Sequence, residues 1–373
     1  MKLENEKLKI VIVGSRGIPC TYGGFETFAE RLAVELIERG HRVAVYGQSD
    51  EEKSTTYKFY KGVECHNFRS PAKRALQKPV LSVKSVFHSI KGKADIVLFL
   101  GVSAAPFCFI NWLAGMKTVI NLDGLEWKRT KWSCIGRGYL RISEWLATKT
   151  CHKVVADSKA LVDIYRRLYS IESVYIPYGA DVLTSVPNDA LNNFGLESGK
   201  YILQSCRLEP ENNVHLIIEA YLKSKMAMPL VILGDAPMGD KYKEKLHLMA
   251  NGKVRFLGAI YGPAYKQIVA HSGLYVHSHE VGGTNPSLLE AMAVGKAPLY
   301  LDVTFNREVA GEVGFPFPKD AAVLATHLDN LLQRLDEVQA RADQARNIIK
   351  ERYSWSSVVD AYEKMFYGMI RND

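Results

Sequence analysis

The residues of this sequence that could do chemistry gather in loops behind short apolar runs. After YILQSC comes Arg207-Leu208-Glu209-Pro210-Glu211-Asn212-Asn213, and after GLYV comes HSHEVGGTNPSLLE, His277 to Glu290. In the second of these, Gly282-Gly283-Thr284-Asn285 stand before a helix expected to start near Pro286, a good first-turn residue, which makes an anion seat at a helix N-terminus. Glu290 falls one turn into that helix, where a carboxylate can accept hydrogen bonds from a ribose diol; Glu280 sits before the turn. Near the start of the chain Gly14, Gly17, Gly23 and Gly24 punctuate another loop, and Tyr22-Gly23-Gly24-Phe25-Glu26 opens its helix. Glycines there let backbone N–H groups approach an anionic or sugar ligand, and they equally suit a plain tight turn. The run Asp123-Gly124-Leu125-Glu126-Trp127-Lys128-Arg129, continuing to Trp132, mixes acids, cations and indoles. Indole faces stack on sugars and Lys or Arg pair with a pyrophosphate or with lipid headgroups, unless the tryptophans are simply core.

Parallel sheets must position these loops, because ligands of open parallel sheets bind at the carboxyl ends of the strands. The spacing predicts a first strand over 9–13, a helix over 25–39 stopped by Gly40, and further strands in RVAVYG, ADIVLFLG, TVINLDG, KVVADS and SVYIPYGAD. A second series runs through YILQSCR, LVILGD, VRFLGA, GLYVHSH and APLYLD, and the tail from Asp320 reads as two or three amphipathic helices. At 373 residues, two α/β domains are expected. The stretch 177–199, rich in Pro, Gly and Asn, has the turn chemistry of a hinge. The Gly14-x-x-Gly17 spacing is neither the dinucleotide fingerprint nor a P-loop.

Composition, with 47% hydrophobic and 24% charged residues, excludes a disordered or fibrous chain. Six scattered cysteines without a C-x-x-C pair argue against a disulfide framework or zinc site, and the charged N-terminus lacks a signal peptide's apolar core, so a cytoplasmic protein is expected. The 21 uncharged residues from Ile96 to Met116 are long enough to span a bilayer, yet Gly101, Pro106, Asn111 and Gly115 divide them into strand, turn and buried helix. The net charge of +8 is uneven: residues 1–183 carry 28 Lys and Arg against 18 Asp and Glu, the remainder 20 against 22. The excess sits in 53–93 and 117–141, which suits an anionic partner such as a membrane surface, or a solvated basic face.

Taken together, GSRGIP (14–19), YGGFET (22–27), NLDGLEWKRTKW (121–132), IPYGAD (176–181), RLEPENN (207–213) and NPSLLEAM (285–292) resemble the family 4 glycosyltransferases of GT-B fold, and within them the rhamnosyltransferase-like subgroup. The resemblance spans essentially the whole chain. It implies two Rossmann-like domains facing across a cleft, an acceptor domain over 1–183, a nucleotide-sugar donor domain over 184–352, and a C-terminal helix over 353–373 returning to the first. It also implies a retaining transfer with no cofactor and no metal. Arg207, Asp123 and Glu126 would be catalytic; Gly23, Gly24, Arg207, Gly283, Thr284, Asn285, Ser287 and Glu290 would bind the nucleotide sugar.

Two positions depart from the family pattern. The second diphosphate cation, a Lys, is replaced by Asn212, and the first Glu of E-x(7)-E falls on Gly282. The lost Glu suggests a donor with different substituents, such as a 6-deoxyhexose. The expected reaction is therefore transfer of a sugar, L-rhamnose from dTDP-L-rhamnose, to a polyprenyl-diphosphate-linked saccharide. It would take place at the inner face of the plasma membrane, with an anionic membrane surface and no nucleic acid as partner. A nucleotide-sugar epimerase and a non-catalytic sugar-nucleotide or membrane-binding protein are the alternatives.

Overall fold

A computed structural model describes residues 7–20, 23–48, 58–69, 74–129, 132–236 and 240–371. Tyr22, Lys73, Lys131 and residues 53–57 of the basic stretch 53–93 lie outside them. The chain forms two units: Met1–Lys128 with Trp132–Pro177 and Trp355–Asp373, and Arg129–Lys131 with Tyr178–Ser354. The divisions after 177 and 354 stand beside the 183 and 352 read from the sequence.

The first unit runs β1 (Lys9–Val13), α1 (Gly24–Glu38), β2 (Arg42–Gln48), β3 (Phe59–Tyr60), β4 (Val63–Phe68), α2 (Arg74–Lys91) and β5 (Ile96–Leu100). It continues through α3 (Cys108–Leu113), β6 (Lys117–Asn121), α4 (Cys134–Thr150), β7 (Lys153–Ala156), α5 (Lys159–Tyr169) and β8 (Val174–Tyr175). Its sheet has the order β3-β4-β2-β1-β5-β6-β7-β8, parallel except where β3 meets β4. The all-apolar runs IVIV and IVLFL become its centre because a parallel strand is covered on both faces. No helix among the described residues is long and apolar enough to cross a membrane, and 96–116 is strand, a 3-10 turn and α3.

The second unit holds β9 (Ile202–Ser205), α6 (Val214–Lys223), β10 (Leu230–Leu233), α7 (Asp240–Ala250), β11 (Val254–Gly258), α8 (Gly262–Ala270) and β12 (Leu274–His277). After these come α9 (Pro286–Ala293), β13 (Leu299–Leu301), α10 (Thr304–Ala310), β14 (Phe315–Phe317), α11 (Ala321–Leu332), α12 (Leu335–Ala340) and α13 (Ala342–Arg352). Its sheet is parallel throughout, in the order β11-β10-β9-β12-β13-β14. The stretch expected to act as a hinge instead carries a 3-10 turn over Asp189–Phe194 and buries Leu191 and Leu196 in this unit's core. The tail has four helices rather than two or three, since α12 and α13 part at Arg341 without Gly or Pro to mark the break.

The last of them, α14 (Trp355–Arg371), belongs to the first unit. Tyr362 and Phe366 are fully buried; the Tyr362 ring lies 5.5 Å from that of Phe28, and its hydroxyl accepts from Asn121 Nδ2 at 3.1 Å. Glu363 takes Arg39 Nη1 at 2.7 Å and meets His41 Nε2 at 2.8 Å. A segment more than 300 residues from α1 is thus built into the same core. Phe366→Ala, which empties a fully enclosed ring site, is expected to cost about 3–5 kcal/mol. A urea midpoint equal to that of the parent protein contradicts this packing.

Candidate functional site

Parallel strands deliver the informative loops to one edge of each sheet. In the first unit the loop behind β1 turns at Gly14, where a Cβ would lie 2.2 Å from the Leu100 carbonyl oxygen at φ +106°, so no side chain fits. The buried Glu26 holds the loop from below: its Oε1 accepts the Arg16 N–H at 2.9 Å. Gly23, at φ 87°, precedes α1, and a Cβ there would stand 2.9 Å from Glu26 Oε2. Gly24 is the exposed first residue of the helix. Both glycines therefore serve the turn and leave backbone at its surface.

The loop behind β6 has a more structural character than its composition suggests. Asp123 is partly exposed and sits at φ 53°, with its N–H on Asn121 Oδ1 at 3.1 Å. Glu126, expected to act on substrate, instead accepts the Trp132 indole N–H at 3.1 Å. Trp127 donates to Glu144 at 3.3 Å, and Arg141 and Lys128 stand 5.3 and 5.6 Å from its ring centre. One ring face read as a sugar platform is thus occupied by cations. Glu144, fully buried, also takes the Tyr169 hydroxyl at 2.6 Å, and burial pushes its carboxyl up.

In the second unit the loops behind β9 and β12 are stitched together because these strands are neighbours. Asn213, at φ 52°, donates from Nδ2 to the Ser278 carbonyl at 3.1 Å and to Glu280 Oε2 at 3.2 Å. The Glu280 N–H reaches the Glu211 carbonyl at 3.1 Å, and the Ser278 hydroxyl donates to the Asn212 carbonyl at 2.5 Å. Asn212 takes no cation's part: it is 1% exposed and its Nδ2 ties back to the Arg207 carbonyl at 2.7 Å. Arg207 leans outward, its side chain 44% exposed and its Nη2 3.7 Å from Glu209 Oε2.

The sequence reading passed over Arg129 as a member of this site. It is buried and lies 3.6 Å from Glu209 and 3.8 Å from Glu211. Glu209 thus stands between two guanidinium groups. Nor did the reading single out His277 and His279, whose rings stack 4.3 Å apart. Burial lowers His277 to about 3, and burial together with His277, Arg207 and Arg129 holds His279 well below the usual range, so both are neutral. The H-x-H spacing alone could have flagged them; the partners of Arg129, some 80 residues away, could not.

At α9 the expected anion seat is narrower than read. Asn285 Oδ1 accepts the Ser287 N–H at 3.1 Å and its hydroxyl at 2.8 Å, so Asn285 caps the helix and the Ser287 hydroxyl braces that cap. Gly283 and Thr284 are buried in the turn before it. An arriving anion meets the positive end of the helix more than free side chains. At Gly282 a Cβ would meet nothing within 4 Å, leaving open space where the family pattern has a carboxylate.

Glu290 lies one turn further on, beside the Tyr265 hydroxyl, and burial raises it to about 7 while Lys266 pulls the other way. Among the described residues no group of three His, Cys, Asp or Glu side chains is placed to hold a metal ion. Because Glu290 binds its proton more tightly folded than unfolded, its contribution to stability is full below its ordinary value of 4.5 and is lost as pH rises through 7. Glu290→Gln is therefore expected to raise the melting temperature at about pH 8 and to gain much less at about pH 5. A gain that does not grow with pH contradicts the buried carboxyl.

Residues 191–351 match the family described as Glycosyl transferases group 1, and residues 7–181 match a Domain of unknown function, DUF1972. An uncharacterized glycosyltransferase of Methanocaldococcus jannaschii is 26% identical over 239 residues, 60% of each chain. O-antigen chain mannosyltransferase B of Escherichia coli is 24% identical over 185 residues, 46% of this chain and 48% of that protein. The chain thus spans about half to three fifths of these curated relatives. Among solved structures, HepE of Anabaena in complex with UDP and glucose superposes with a TM-score of 0.80 at 20% identity, covering 97% of this chain and all of the other. Sucrose-phosphate synthase of Thermosynechococcus elongatus reaches 0.84 at 14% identity, covering 98% of this chain and all of the other. The two parallel-sheet α/β units thus have the GT-B fold, and residues 191–351 match the glycosyl transferases group 1 family.

Proposed function

We propose that the protein moves a sugar from a nucleoside diphosphate to a lipid-linked saccharide, with retention of configuration and without a metal ion. The observation that carries the reading is Arg207, a half-exposed guanidinium held only at 3.7 Å by a carboxylate that Arg129 also engages. A diphosphate can take Arg207 without leaving Glu209 unpaired, since Arg129 stays with it. That frees one cation for the charge that develops on the leaving group, and the helix end at Thr284-Asn285 adds to it. The second cation, lost at Asn212, is then replaced by the positive end of α9.

Glu290 is suited to the ribose hydroxyls, as a carboxylate accepting from a diol. Asp123, on the first unit, is the group left for the acceptor, with Glu126 positioning Trp132. The binding of UDP and glucose by HepE supports a nucleotide-sugar donor, and the O-antigen mannosyltransferase supports a polysaccharide setting. The open space at Gly282 favours a donor whose substituent there needs no carboxylate, and we take that donor to be a 6-deoxyhexose, dTDP-L-rhamnose. The basic first half of the chain supports a lipid-linked acceptor and an anionic membrane surface.

Arg207→Ala is expected to lower turnover of a labelled nucleotide sugar by about two to three orders of magnitude with the fold retained. Near-normal turnover places the diphosphate elsewhere. Turnover should also persist in EDTA; loss that magnesium or manganese restores overturns the metal-free reading.

A further inference from the structure

Helix α4 is turned the wrong way for an ordinary surface helix. Its inward stripe is Leu140, Ser143, Glu144, Ala147 and Thr148, of which only Leu140 is large and apolar. Its outward stripe, spaced i, i+4, i+7 and i+10, is Ile135, Tyr139, Ile142 and Trp145, exposed by 87, 41, 66 and 50%. A helix that simply covers a core does the reverse. The orientation is fixed from within: the buried Glu144 carboxylate is engaged by Trp127 and Tyr169, and a rotation that hid Trp145 would strip those partners from it.

Helix α3, packed beside α4, carries exposed apolar residues of its own. Phe109, Trp112 and Leu113, at i, i+3 and i+4, are 39, 47 and 69% exposed. The exposed charges of α4 have a single sign. From Gly101 to Lys153 the acids are Asp123, Glu126 and Glu144, and the last is buried, whereas Arg137, Arg141 and Lys149 of α4 are exposed. Tryptophan and tyrosine among aliphatic residues, edged by cations, is the composition of a helix lying in a bilayer interface, and the charge complements anionic headgroups.

We infer that α3 and α4 seat the protein on an anionic bilayer, with Trp112, Ile135, Ile142 and Trp145 immersed at the acyl boundary. The inference rests on the lipid-linked acceptor reading and names the surface that reading needs. The seat adjoins the loop behind β6 through Trp127, which Glu144 and Arg141 of α4 hold, so a bilayer at α4 brings lipid to Asp123 and Trp132. A second copy of the chain is a poorer occupant: a two-fold pairing through this face would set Arg137 and Arg141 against their own copies.

The test is flotation of the full chain with vesicles of phosphatidylcholine and phosphatidylglycerol. Wild type should float at about 0.1 M salt and retain part of its binding at about 1 M, because screening removes the ionic attraction and leaves the apolar one. The triple variant Ile135→Ser, Ile142→Ser, Trp145→Ser, all at exposed positions, should keep its melting temperature, lose about ten-fold in the vesicle-bound fraction at both salts, and still use a short soluble acceptor. A fluorescence blue shift on adding vesicles should be seen with wild type and not with the variant. Unchanged flotation of the variant overturns the inference, as does a wild-type dimer in sedimentation that the triple substitution dissolves while flotation stays. Flotation decides the surface by itself; the acceptor reading fails separately, if wild type floats yet never labels a lipid-linked saccharide.

Discussion

The Asn213 carboxamide is the joint on which the loop edge of the second unit depends. A left-handed residue at the entry to α6 turns its side chain across to the loop behind β12, and two carbonyls and a carboxylate share its one NH2 group. Adjacent parallel strands bring the two loops near, but strand pairing ends at Val276 and fixes nothing beyond it. The bridge, with Ser278 and the Glu280 N–H, carries the register of the sheet into the loops. Arg207 stands out from this frame, while the Asn212 and Asn213 amide groups beneath it are tied to backbone carbonyls.

Charge in that frame is close to balanced: Arg129 and Arg207 against Glu209 and Glu211. Balance of this kind costs little when the site is empty, since each buried carboxylate has a cation within 4 Å. It also leaves the exposed member, Arg207, as the one that an incoming anion can capture. The neutral histidines complete the arrangement. An imidazolium at position 279 would crowd the two guanidiniums, and burial removes that charge before ligand arrives.

Much of the fold was legible because its signals are local. The runs IVIV and IVLFL, the glycines after strands and Pro286 at the start of α9 each declare an element within a few residues. Strands β3, β4 and β14 escaped: two have only two or three residues, β14 contains Pro316, and β4 reads VECHNF with polar residues inside it. In the candidate site, the position of Arg207 in a loop behind a strand and of Glu290 one turn into a helix was legible. The capping role of Asn285, the engagement of Glu126 by Trp132 and the burial of Arg129 were not, because each is settled by a hydrogen bond or an ion pair formed only after folding. The outward stripe of α4 was hidden for a related reason. Its periodicity is that of any amphipathic helix, and only the fold says which face is turned to the core.

The central claim is that the diphosphate of a nucleotide donor is taken by Arg207 at the joined edge of β9 and β12. A crystal structure of the protein with a nucleoside diphosphate tests it most directly. The account predicts a phosphate oxygen within hydrogen-bond distance of the Arg207 guanidinium, Arg129 still with Glu209, and the ribose against Glu290. Phosphate density away from Arg207, or a ribose that leaves Glu290 untouched, would contradict it.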